Sequence, residues 1–178
     1  MTLALGLGVM VAVMVMTPLH MRHGNADLTV IGFVISVHIL GMYAFSPLTG
    51  YAVDRLGGRT VAGVGSGVLC AATLLAAVSP EGSSPTLVGG LFLLGLGWSC
   101  TLVSGSTLLT AGVPTPERPG AQGAADLAMG LVAAAGGVVG GVVVDHSGYP
   151  ALAAVATGFA LLVGVAVIAA RPAAVRLG

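Results

Sequence analysis

The sequence predicts an all-α, polytopic membrane protein with six transmembrane helices, and three observations lead to this fold class. Hydrophobic residues make up 56% of the 178-residue chain, only 7% of its residues are charged, and its mean hydropathy is +1.05. Because a soluble domain carries roughly a quarter charged residues, this composition cannot cover a globule in water. The charges also separate apolar runs of about 20 residues, the length of a helix that crosses a bilayer.

Each predicted span is an apolar run that ends at charged or helix-breaking residues. The connections between the runs are short and rich in Gly, Pro, Ser, Asn and Asp, which end or cap helices. Pro18 and Pro47 are expected to bend the first and second spans near their ends. The spans form one domain, residues 1–178, and are predicted at about 2–19, 28–52, 60–79, 86–111, 120–144 and 149–170.

The distribution of arginine predicts the orientation, because positively charged short loops stay on the cytoplasmic side. Connections one, three and five contain only Arg22. With an even number of crossings, both termini are expected in the cytoplasm and the protein in the plasma membrane. The second and fourth connections and the C-terminal tail hold the other arginines: Arg55, Arg59, Arg118, Arg171 and Arg176.

Composition and motifs also argue against several classes of function. The formal net charge is zero without a basic cluster, which disfavours a nucleic-acid partner. Cys70 and Cys100 lie inside apolar runs, as small buried hydrophobes do, so no disulfide is expected. No arrangement of catalytic residues occurs, and we expect neither an enzyme nor a cofactor. The end of the first span holds thioether and imidazole side chains that could bind a soft metal: Met14, Met16, His20, Met21 and His23. Their spacing matches no defined metal site, and no metal is expected there.

A short pattern occurs twice and predicts an internal repeat. Gly50, Asp54 and Gly57 form G-x-x-x-D-x-x-G in the second connection, and the same pattern recurs 91 positions later as Gly141, Asp145 and Gly148. That displacement equals three helices, an odd number, so the two copies are expected on opposite membrane faces. Two three-helix units in inverted topology are typical of secondary transporters, although abundant glycine leaves coincidence as an alternative.

The first copy also carries a family resemblance. Together with Arg55, Gly58 and Arg59 it resembles the signature loop of the major facilitator superfamily, G-x-x-x-D-R-x-G-R-[RK], with Gly58 in place of one basic residue. The segment 116–123 followed by Asp126 is similar to the loop into the eleventh helix of many bacterial members. The resemblance covers the whole chain and implies helices seven to twelve of a twelve-helix transporter. It also implies that the signature loop latches two halves together during gating.

The resemblance implies that this chain is the C-terminal half of such a transporter. The chain runs from Met1 directly into a span, without a signal peptide or the long cytoplasmic link between halves, which suggests a fragment or a truncated gene product. Its expected partners are lipid, a second six-helix half and a small organic substrate. The substrate is expected to be exported or imported by alternating access against a proton gradient, for example by an antiporter in drug or metabolite efflux. The alternatives are a homodimeric six-helix carrier and a non-transporting scaffold or degenerate fragment.

Two ionisable residues within the spans are candidates for proton coupling. His38 lies ten positions into the second span, about 15 Å deep, and imidazole titrates near neutrality. The alternative for His38 is a neutral ring that donates one hydrogen bond to a neighbouring helix. Asp126 is shallower and lies one turn after Gln122, so it could instead accept a structural bond from a loop or from Arg55.

The fourth and first spans supply the candidates for a substrate cavity. One face of the fourth span gathers small and hydroxyl residues, which either line a weakly polar cavity or form a close helix contact. By resemblance, the first and fourth spans line the substrate path, and the candidates are Met10, Met14, Trp98, Thr101 and Ser104. The fifth span has overlapping G-x-x-x-G patterns that predict close packing, formed by Gly130, Gly136, Gly137, Gly140 and Gly141.

Overall fold

The computed structural model describes residues 2–169, and these residues form helices and short connections without a β-strand. Arg171 and Arg176, which contribute to the predicted orientation, lie outside the described residues. The elements are α1 (Thr2–His23), α2 (Leu28–Tyr43), α3 (Ser46–Leu56), α4 (Gly58–Ala77), α5 (Pro85–Ala111), a 3-10 turn (Thr115–Glu117) and α6 (Arg118–Ala169).

Five segments of residues 2–169 are long and apolar enough to cross a membrane, and the last of them accounts for two predicted spans. Helix α6 has 52 residues, which corresponds to about 78 Å at the usual rise, more than twice the hydrocarbon thickness. It is interrupted at Gly148, where φ is 79° and ψ is 170°. We call residues 118–147 the first arm and residues 149–169 the second arm. Each arm has the length of one span.

The second predicted span is divided into α2 and α3 beside Pro47, the residue expected to bend it. The division falls at Ala44 and Phe45, and Pro47 lies in the first turn of α3. Proline has no N–H group and fits the start of a helix better than its interior, so a new helix begins here. Helix α1, by contrast, continues through Pro18 to His23.

The helices form two units: the first comprises α1 to α4, and the second comprises α5 and the two arms of α6. If the two units are interchanged, packed helix pairs correspond approximately to other packed pairs. Helix α2 of the first unit packs on α5 of the second, and the first arm packs on α1 in the corresponding way. Helix α4 packs on α5, just as the second arm packs on α1. Corresponding helices of the two units therefore make corresponding contacts, as expected of an internal repeat.

The two copies of the repeated pattern lie at opposite ends of the bundle. At one end, Gly58 adjoins the side chain of Leu108 near the end of α5, and Arg59 reaches the carbonyl of Val167 near the end of the second arm. At the other end, the hydroxyl of Tyr149 lies 2.8 Å from that of Thr17, near the end of α1. The turns at Gly57 and Gly148 are therefore separated by the length of the helices.

Glycine allows the first arm to approach α1 closely. A Cβ added to Gly136 would lie 3.2 Å from the carbonyl oxygen of Gly8, and one added to Gly140 would lie 3.4 Å from that of Ala12. The predicted close packing therefore occurs at one of the two overlapping G-x-x-x-G patterns. Gly130 and Gly137 belong to another face of the arm, where an added Cβ would have no neighbour within 4 Å among the described residues.

Candidate functional site

The signature loop begins in the last turns of α3 and exposes its acidic residue. Asp54 and Arg55 are both exposed, and the Arg55 guanidinium lies 5.1 Å from the centre of the Tyr51 ring. Gly57 ends the helix with φ of 84°, a conformation that side chains disfavour, and its N–H donates to the Val53 carbonyl. Asp54 makes no hydrogen bond or ion pair within residues 2–169. Its carboxylate is therefore available to a group outside this bundle.

Gly50 shares the uncovered face of α3 with Asp54, one turn away. A Cβ at Gly50 would meet nothing within 4 Å among the described residues. Packing within this bundle therefore does not require glycine at position 50.

Arg59, although part of the same sequence pattern, points in another direction. Its Nη2 donates to the carbonyl oxygens of Val167 and Ile168, at 3.2 Å and 3.4 Å, near the end of the second arm. The pattern therefore separates into an exposed part, Asp54 with Arg55, and a part that contacts this bundle, Arg59.

The second copy of the pattern is also exposed at its acidic position. The Asp145 carboxylate lies 3.7 Å from Nδ1 of His146, and both side chains are largely in the open, at 84% and 73% exposure. Gly141 adjoins the methyl group of Met16, and Gly148 has a positive φ that permits the break between the arms. The two copies thus share an exposed carboxylate and a glycine turn.

His38 is buried where α2 packs against α5. Its side chain is 1% exposed, and Nδ1 donates to the Leu91 carbonyl at 2.8 Å. Nε2 is buried and finds no hydrogen-bond partner among the described residues. The bond to α5 is the one that the alternative of a neutral histidine predicts, and it leaves Nε2 as the nitrogen that could take up a proton.

Asp126 lies on the outer surface of the first arm and ends a chain of polar side chains. Ser106 donates to Oε1 of Gln122 at 3.1 Å, and Nε2 of Gln122 donates to Asp126 at 3.0 Å. The Arg55 guanidinium lies over the Tyr51 ring and does not contact Asp126. The polar chain connects α5 to the first arm and leaves the carboxylate exposed.

The candidate cavity residues lie in the core in this conformation. Thr101 and Ser104 are 0% exposed and donate to carbonyls of their own helix, and Gly6 of α1 fits against Thr101. Met10 and Trp98 are buried, and Met14 is half-buried. An apolar cavity of about 210 Å³ lies instead between α1 and the two arms, and none of these five candidates lines it. Their role in substrate binding stays a prediction.

Sequence reasoning missed a polar cluster at the end of the bundle opposite Asp54. The His20 ring stacks on Tyr149 with centroids 4.2 Å apart, and its Nε2 lies 3.3 Å from the Pro80 carbonyl. Together with the bond from Tyr149 to Thr17, this cluster connects α1, the α4–α5 connection and the second arm. The available signal was the position of Tyr149 directly after the repeated Gly148, where a buried aromatic needs a polar partner.

Comparison with known proteins agrees with this architecture. The family model described as Major Facilitator Superfamily matches residues 1–176. An uncharacterized MFS-type transporter of Bacillus subtilis (strain 168), YdeG, is 44% identical over 164 residues, which cover 92% of this chain and 38% of that protein. A second one from the same organism, YddS, is 42% identical over 144 residues, which cover 81% of this chain and 33% of that protein.

This chain therefore spans only about a third of the length of these two relatives. A match along nearly all of its own residues, on an all-α bundle of membrane-length helices, nevertheless establishes its family. The chain is an integral membrane protein that belongs to the major facilitator superfamily of transporters.

Proposed function

We propose that this chain forms one six-helix lobe of a secondary transporter that moves a small organic molecule by alternating access. The observation that carries the proposal is the exposed G-x-x-x-D-x-x-G turn at each end of the bundle, whose two units make corresponding helix contacts. Inverted units make inward-open and outward-open states nearly equivalent, which alternating access requires. The lobe resides in the plasma membrane with Asp54 on the cytoplasmic face.

A second six-helix lobe is the proposed partner, and the first arm offers a surface for it. Gly123, Gly130 and Gly137 recur every seven positions, an added Cβ at each would have no neighbour within 4 Å among residues 2–169, and Asp126 lies on the same face. An ionised carboxylate within a span is costly against lipid, which favours protein or a water-filled path over this face. The relatives are long enough to supply such a lobe.

The topology behind this proposal can be tested by labelling. In a background with Cys70→Ala and Cys100→Ala, single cysteines are introduced as Leu56→Cys near the Asp54 turn and Ser147→Cys near the Asp145 turn. A membrane-impermeant maleimide added to intact cells is expected to label position 147 directly and position 56 only after permeabilisation. Labelling of both positions from the same side would overturn the inverted arrangement and the proposed mechanism with it.

Proton coupling is the second part of the proposal, and it rests on His38. In vesicles that carry the full-length transporter, ethidium efflux driven by a proton gradient is expected to depend on pH through the protonation of His38. His38→Gln should remove most of that dependence while retaining a donor for the Leu91 carbonyl. His23→Gln, at an exposed position at the end of α1, is the matched control. An unchanged pH profile for His38→Gln would assign His38 a structural role only.

A further inference from the structure

Helix α4 contacts the second arm through three polar residues spaced seven positions apart: Arg59, Ser66 and Thr73. The hydroxyl of Ser66 donates to the Ala160 carbonyl at 2.6 Å, and that of Thr73 lies 2.8 Å from the hydroxyl of Thr157. Positions seven apart share one face of a helix over two turns. The contact with the second arm therefore extends along nearly the full length of α4.

The interface follows the 91-residue repeat. That displacement relates Ser66 to Thr157 and Thr73 to Gly164. The contact between Thr73 and Thr157 thus corresponds to one between Gly164 and Ser66, and the Ser66 hydroxyl does lie 2.7 Å from the position of a Cβ on Gly164. A contact that maps onto another contact of the same interface lies close to the axis relating the two units.

Arg59 closes this interface at the end of the second arm. The last carbonyls of a helix have no donor within the helix and carry partial negative charge, so a cation there is favourable. The Arg59 guanidinium donates to the carbonyls of Val167 and Ile168, and the residue four positions after Ile168 is Pro172, which has no N–H group. Both bonds come from Nη2, whose two hydrogens can serve two acceptors at once.

We propose that Arg59 is a positioning residue that fastens the second arm to α4 at one end of the interface that contains the repeat axis, while Asp54 and Arg55 of the same loop face the partner lobe. The inference rests on the proposed function, because this attachment makes the two units rotate as one body during alternating access. The signature loop then has two roles, one toward the partner lobe and one within this lobe. Its exposed residues meet the other lobe, and Arg59 keeps this lobe rigid.

The test compares Arg59→Ala, Arg59→Lys and the control Arg55→Ala in the full-length protein purified in nanodiscs. Hydrogen exchange of the backbone amides in residues 160–169 is expected to accelerate about tenfold in Arg59→Ala, since the end of the helix opens locally. Lysine should restore part of the protection, and Arg55→Ala should match the wild type. Ethidium efflux should fall in Arg59→Ala and recover partly in Arg59→Lys.

Two results would overturn the proposal: unchanged exchange in Arg59→Ala, or the same acceleration in Arg55→Ala. If Arg59→Ala does not fold, Arg59→Gln, which keeps one donor group, gives the same comparison. The exchange measurement does not need transport. If Arg59→Ala accelerates exchange although the wild-type protein transports nothing, the attachment is retained and the proposed function is rejected.

Discussion

Gly95→Leu is expected to destabilise the bundle by about 3 kcal/mol or more, because the new side chain has no room between α2 and α5. Even a Cβ at this position would overlap the backbone carbonyl of His38 and lie 2.9 Å from the backbone nitrogen of Met42. Neither group can move without shifting α2 as a whole. The measurement is the midpoint of thermal unfolding of the detergent-purified protein. Unfolding is monitored as the loss of the monodisperse elution peak after heating.

Gly89→Leu is the control for this substitution. It introduces the same side chain into the same helix, at a position where a Cβ would have no described neighbour within 4 Å. We expect its unfolding midpoint to stay close to that of the wild type. Equal midpoints for the two variants would show that α2 does not pack against α5 as closely as the structure indicates.

Asp54→Asn is expected to slow transport by roughly tenfold or more, which corresponds to about 1.4 kcal/mol on the rate-limiting barrier. Asp54 is exposed and has no polar partner within residues 2–169, so the proposal assigns its partner to the second lobe. Asparagine has nearly the same shape but removes the charge that would face a helix N-terminus of that lobe. The rate is measured as ethidium efflux from vesicles that contain the full-length transporter.

The unfolding midpoint of Asp54→Asn should equal that of the wild type, because no polar contact with residues 2–169 is lost. Asp27→Asn provides the control, since Asp27 is also exposed, precedes α2 and makes no side-chain cap bond. Its efflux rate should be unchanged. An unaltered rate in Asp54→Asn would reject the gating role of the loop, and a lowered unfolding midpoint would indicate a structural role instead.

Close packing was only partly predictable from the sequence. The overlapping glycine patterns of the fifth span indicated a tight contact. However, Gly136 and Gly137 each begin a G-x-x-x-G pattern, and the sequence does not show which of them makes the contact. Only the rotation of the first arm about its axis decides that Gly136 meets Gly8 and that Gly137 does not. The tight contacts of Gly41 and Gly95 between α2 and α5 carried no motif at all, because each is a single glycine among many.

The roles of polar residues were less predictable than the helices. Arg55 and Arg59 belong to one loop pattern, yet one stacks on Tyr51 and the other donates to carbonyls of the second arm. Those carbonyls are backbone atoms more than 100 positions away, as shown by the separation of 108 between Arg59 and Val167. A pattern of side chains contains no information about such acceptors. The partners of His20 and His38 were unpredictable for the same reason.

The sequence alone determined the all-α membrane class and the positions of the apolar runs, and it predicted the inverted repeat. These depend on local quantities: hydrocarbon thickness sets the length of a span, and glycine turns with a carboxylate recur at a fixed displacement. The tertiary structure decided the face on which each arm packs and the division of the signature loop. These depend on side-chain packing and on backbone carbonyls from distant segments, which meet only when the helices are assembled.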